Sequence, residues 1–149
     1  MSQLNQRIDA DFKEAMKSRD KGRTGAIRLI RAALQNRAKE KREELTDEEV
    51  IGVLVSQAKQ RKDSIEQFTA GNRKDLADIE SAELAVIESY LPEQMGEEEV
   101  RKIVAETIAA TGATGPKEMG KVMGALMPKV KGKADGKLVN QLVRELLAQ

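Results

Sequence analysis

The residues with the clearest chemical suggestion are Gly115-Pro-Lys-Glu-Met-Gly-Lys-Val122, which nearly spell the nucleotide-binding pattern G-x-x-x-x-G-K-[ST]. Two features break the pattern. Val122 has no hydroxyl to offer a magnesium ion, and no strand precedes the loop. Pro116 and the spacing of Met119, Val122 and Met123 instead predict that Gly120 and Lys121 lie inside a helix. Gly120 and Gly124 would then share one face, each costing about 1 kcal/mol of helix propensity relative to alanine. The missing side chains suit close approach of another helix, which is the expected use, or of an RNA backbone. Met119, Met123 and Met127, one turn apart, read as core fillers rather than a partner groove.

Three other clusters carry charge at suggestive spacing. Lys129, Lys131 and Lys133 surround Gly132 just before a helix amino terminus, a composition that suits phosphate contact. Asp135 opposes that reading, because a carboxylate at the cap fills the place a phosphate would take. A solvated loop explains the same residues. Arg28, Arg31, Gln35, Lys39 and Arg42 form a basic stripe on a predicted helix opposite Ile27, Ile30 and Leu34. It is expected to pair with the acidic helices that follow rather than to track a nucleic-acid backbone. Glu97-Glu98-Glu99 is no metal cluster, since successive helical carboxylates diverge; acids in a first turn complement the helix dipole.

Composition removes most catalytic machinery. The chain has no histidine and no cysteine, so no imidazole base, thiolate nucleophile, disulfide or Cys/His zinc site is available. Its serines, at 2, 18, 56, 64, 81 and 89, stand singly in helical surroundings without a glycine-rich nucleophile turn. No cofactor and no metal is expected. At 149 residues, 40% hydrophobic and 34% charged, the chain is globular, with a net charge of only +1. The charge is unevenly spread: residues 7 to 42 hold twelve bases and five acids, residues 43 to 93 five bases and thirteen acids, and residues 116 to 149 seven bases and three acids. No apolar run approaches the roughly 20 residues that span a bilayer, and no membrane partner is expected. The amino terminus reads as an amphipathic helix rather than a signal peptide, so the cytoplasm is the default compartment.

The elements that would position these residues are helical throughout, with a 3.6-residue period and no sustained alternation. Leu4, Ile8, Phe12, Ala15 and Met16 mark a first helix capped by Ser2, and Ile27, Ile30, Leu34 and Ala38 a second. Thr46 with Glu49 forms a capping box for a third, which carries Val50, Val53, Leu54, Arg61, Ile65 and Phe68. After a turn at Ala70-Gly71-Asn72, Leu76, Ile79, Val86, Ile87 and Tyr90 line a fourth. Pro92 and Gly96 then predict a linker at 92–96 between domains 1–91 and 97–149. Val100, Ile103, Val104, Thr107 and Ile108 mark a fifth helix closed by Gly112. Pro116 opens a sixth, which Pro128 is expected to end, and Asp135 caps a seventh with a broad Leu/Val stripe. The expected fold is all-α: a four-helix N-terminal part with long hairpins, then a compact three-helix C-terminal part.

The run from Gly120 to Leu147 resembles the C-terminal half of the tail domain in the B subunit of tRNA-dependent amidotransferases, and the small free-standing YqeY family. The run Asp11 to Leu34, Thr46-Asp47-Glu48-Glu49, Tyr90-Leu91-Pro92-Glu93-Gln94 and Thr111-Gly112-Ala113-Thr114 are also similar to YqeY sequences. The resemblance covers nearly the whole chain and implies a non-catalytic module that engages folded tRNA. The RNA-contact candidates are then Gly120, Lys121, Gly124, Lys129, Lys131, Lys133 and Lys137, with Arg28, Arg31, Lys39 and Arg42 as a secondary stripe. Carbon–nitrogen ligase chemistry with glutamine as amide donor belongs to the larger enzyme, whose nucleophile and ATP cradle this chain lacks. The alternatives are a protein-interaction adaptor without RNA, or an accessory of an aminoacyl-tRNA amidotransferase. Phe12, Phe68 and Tyr90 are the only aromatics, so any RNA would be read by shape and phosphates rather than by stacked bases.

Overall fold

Ser2 accepts from the Asn5 amide and starts α1 (Gln3–Lys17), and Asp20 accepts from Arg23 to start α2 (Lys21–Lys41). α3 (Asp47–Ala70) opens on the predicted capping box, with Thr46 and Glu49 each satisfying the other's backbone amide. Leu45 just before the cap and Val50 at the fourth helical position are both buried in one cluster, the arrangement of a hydrophobic staple. α4 (Lys74–Ser89) returns along α3 after a turn in which Asn72 takes φ +58°. The computed structural model describes residues 2–92 and 94–148, and among them every regular element is helical. Glu93, part of the expected linker, lies outside the described residues.

The chain divides into two compact units, Met1–Pro92 and Glu93–Gln149. In the first, Ile8, Ile27, Ile30, Leu54 and Ile87 are fully buried where the four helices meet. The Leu4 amide donates to Asp47 Oδ1 at 3.0 Å, tying the start of α1 to the start of α3. Two expected core positions face outward instead: Ile79 is 56% exposed and Met16 is 47% exposed. On α4, Ala77 takes the buried position beside Ile79; on α1, Ala15 does so beside Met16.

The second unit packs α5 (Glu97–Thr111), α6 (Met119–Val130) and α7 (Gly136–Leu147) around Val100, Val104, Val122, Leu126, Leu142 and Val143. Gly112 ends α5 with φ +70°, the left-handed conformation that favours glycine there. Pro116 opens a 3-10 turn, Pro116–Glu118, and α6 proper begins only at Met119. Pro128 does not end α6, contrary to expectation; the helix continues to Val130, and the Lys131 amide bonds the Met127 carbonyl at 2.9 Å. The proline removes one donor, owed to the carbonyl of Gly124 four residues back. Gly124 is exposed, so water can serve that carbonyl and the interruption is tolerated.

Candidate nucleic-acid interface

On α6 the buried side is Val122, Leu126 and Val130, with Met119 and Met123 packed at its margin. Met127 is 39% exposed, so the expected methionine stripe is core for two residues and surface for the third. The valine–leucine line has the same one-turn spacing, and β-branched and leucine side chains took the centre. Gly120, Lys121, Gly124, Ala125 and Pro128 fall on the opposite, exposed side, with Lys117 just before them. A Cβ built on Gly120 or Gly124 meets nothing within 4 Å. The expected close helix packing is therefore absent among the described residues: no element there uses the missing side chains.

The lysines of the following turn divide by role. Lys129 Nζ reaches back to Thr107 Oγ1 on α5 at 3.3 Å; that hydroxyl is buried and itself donates to the Ile103 carbonyl. Lys129 thus braces α5 against α6, while the residue itself stays exposed. Lys131 and Lys133 are exposed, and neither has an ion-pair partner among the described residues. Gly132 between them is buried and takes φ +77°. Its carbonyl accepts from Gln94 Nε2 at 2.8 Å, and the Lys133 carbonyl accepts from the Met95 amide at 2.7 Å. Asp135 caps α7 by accepting from the Lys137 amide at 3.0 Å, and so occupies the cap a phosphate would need. Neither Lys117 nor the Gln94–Met95 contact was identified from the sequence. Lys117 precedes the helix phase that marked the others, and the second contact joins segments 38 residues apart.

The basic stripe of α2 has a different partner from the one expected. Arg31 pairs with Asp9 of α1 at 3.0 Å and lies over the Phe12 ring, 4.3 Å from its centre; Arg28 lies over the same ring at 5.8 Å. Two acids of α4 are instead claimed by Arg61 of α3, which lies 3.4 Å from Glu80 and 3.1 Å from Glu83. Lys39 and Arg42 make no ion pair among the described residues. A hollow of about 200 Å³ beside Asp9 and Arg31 is floored by Leu34, Ala38 and Leu45. It is below the roughly 300–1,000 Å³ usual for small-molecule sites. Among the described residues no three carboxylates gather as a metal site, and no helix is long and apolar enough to cross a membrane.

Two small helical units, the second presenting a glycine-smooth, lysine-edged surface, define a helical module with a candidate polyanion-binding face. The Yqey-like protein family model matches residues 5–147, and the chain belongs to the YqeY family. It is 35% identical over 100 residues to altered inheritance of mitochondria protein 41, mitochondrial, of Pyrenophora tritici-repentis, covering 66% of this chain and 55% of that protein. The protein of the same name from Lachancea thermotolerans is 37% identical over 85 residues, 56% of this chain and 46% of its own length. The chain thus spans about half the length of these relatives.

Proposed function

We propose that this chain is a non-catalytic helical module whose C-terminal unit binds folded RNA, tRNA or a tRNA-like structure. The contact surface is the outward face of α6 with the turn after it. The observation that carries this reading is the pair Gly120 and Gly124, exposed and with open space where a Cβ would stand. Their cost of about 1 kcal/mol each in helix propensity is not offset by packing among the described residues. A flat face edged by Lys117, Lys121, Lys131 and Lys133 suits the close approach of a phosphate backbone. The second unit contains no aromatic residue, which favours folded RNA over splayed single strands. The resemblance to the amidotransferase tail supports the same partner. Amide transfer would then belong to a larger enzyme that the module serves as accessory. We propose the cytoplasm as compartment; the matched relatives are named mitochondrial, and organelle fractionation separates the two.

Binding of a folded tRNA transcript, followed across a salt series, tests the reading. The double variant Lys131→Ala, Lys133→Ala should weaken binding and flatten the logarithmic salt slope by roughly one unit per lost phosphate contact. Gly124→Ala should stabilise the unit by about 0.5–1 kcal/mol while weakening RNA binding, because the new methyl meets nothing inside the chain. A wild type with no salt-sensitive preference for folded tRNA over a single strand of equal length would favour a protein-interaction adaptor. The exposed Met127 beside Gly124 would then mark the contact face.

A further inference from the structure

The turn that carries Lys131 and Lys133 is held from one side by a segment distant in sequence. Two successive carbonyls, of Gly132 and Lys133, accept from two successive residues, the Gln94 side-chain amide at 2.8 Å and the Met95 backbone amide at 2.7 Å. The Met95 side chain packs on the core of the second unit and anchors the segment. From the other side, the amides of Lys133 and Ala134 both donate to the Val130 carbonyl, at 2.8 and 3.1 Å. Both backbone polar groups of Lys133 are therefore engaged inward, and Gly132 is fixed at φ +77°, which side-chain-bearing residues rarely adopt. The two lysine side chains are left as the outward part of a closed loop.

We propose that Gln94 is a positioning residue for this turn: with the Met95 amide it straps Gly132 and Lys133 in the conformation that presents Lys131 and Lys133 together to RNA phosphates. The inference rests on the reading that the turn contacts RNA. It adds that affinity depends on the segment entering the second unit, so a change in that segment is transmitted to the lysines. Without the strap the Gly132 carbonyl loses a donor and the turn samples other conformations. Each lysine then reaches phosphate at the entropic cost of ordering the loop.

The test uses the full chain, with Gln94→Leu to remove the donor at similar size and Gln94→Glu to replace it by an acceptor. The probes are a folded tRNA transcript and a single strand of equal length. Both variants should lose about 3- to 10-fold in affinity for folded tRNA, and their logarithmic salt slope should fall toward that of the Lys131→Ala, Lys133→Ala variant. The melting temperature should stay within a few degrees of wild type, and amide exchange at Met95 should quicken. If one variant fails to fold, the other decides. Wild-type affinity and slope in a folded Gln94 variant would overturn the positioning role while leaving RNA binding intact. A wild type that binds neither probe would overturn both.

Discussion

Tyr90 closes α4, and its hydroxyl donates to Asp11 Oδ2 at 2.7 Å, with Arg7 lying over its ring. Burial, followed by the bond to Asp11, pushes the phenol up to about 12 from its ordinary value of 10.0. The folded chain thus holds that proton more tightly than the unfolded chain. The contribution is intact below pH 10 and is lost as pH rises from 10 to about 12. Tyr90→Phe should cost about 1 kcal/mol at pH 7, the worth of one hydrogen bond, and shed that part of the alkaline sensitivity. Urea unfolding at pH 7 and pH 11 checks both; an unchanged difference between wild type and variant at the two pH values would refute the assignment. Glu83 shows the same direction among acids. Burial raises its pKa more than Arg61 lowers it, so its contribution is present below the usual carboxylate range and fades as pH rises through the raised value.

Among the helices, the start of α3 was fully legible: Thr46 and Glu49 at the right spacing produced the capping box found. Lys41 reinforces it from the end of α2. Its hydrogen bond to Glu49 is the largest cause holding that carboxyl below its ordinary range, so this contribution is present above that range and lost in acid. Thr46→Ala should lower stability by about 1 kcal/mol, measured by thermal unfolding at pH 7; a change under a few tenths would mean the cap is redundant. Helix existence and phase came from hydrophobic period, a local property. What stayed hidden was tertiary. Nothing in the order of residues tells that Arg31 meets Asp9 rather than an acid of α4, or that Lys129 turns to Thr107. Whether Gly120 and Gly124 face a helix or open space depends on which side of α6 the other helices cover. Pro128 misled because its cost depends on exposure of a carbonyl one turn earlier.

At the scale of the whole molecule, two cores rest on separate sets of helices, and the chain passes between them at Pro92. We expect limited digestion with a non-specific protease to cut first within residues 91–96 and release one fragment for each unit, near 1–91 and 93–149. Because Gln94 and Met95 are strapped to the second unit, cleavage should fall on the side of Leu91 and Pro92 first. Equal resistance of this stretch and the flanking helices would argue against separable units. On the RNA-binding function proposed above, selectivity against DNA can, finally, rest on one backbone atom. The Gly124 carbonyl, which Pro128 leaves without its helical donor, can accept a hydrogen bond and belongs to an exposed residue on the proposed RNA-binding side of α6. Phosphate oxygens have no proton to give it, whereas the ribose 2′-hydroxyl does. A DNA copy of the same tRNA sequence should therefore bind more weakly than the folded tRNA transcript. Pro128→Ala, which returns an N–H to that carbonyl, should narrow the gap while making α6 more stable.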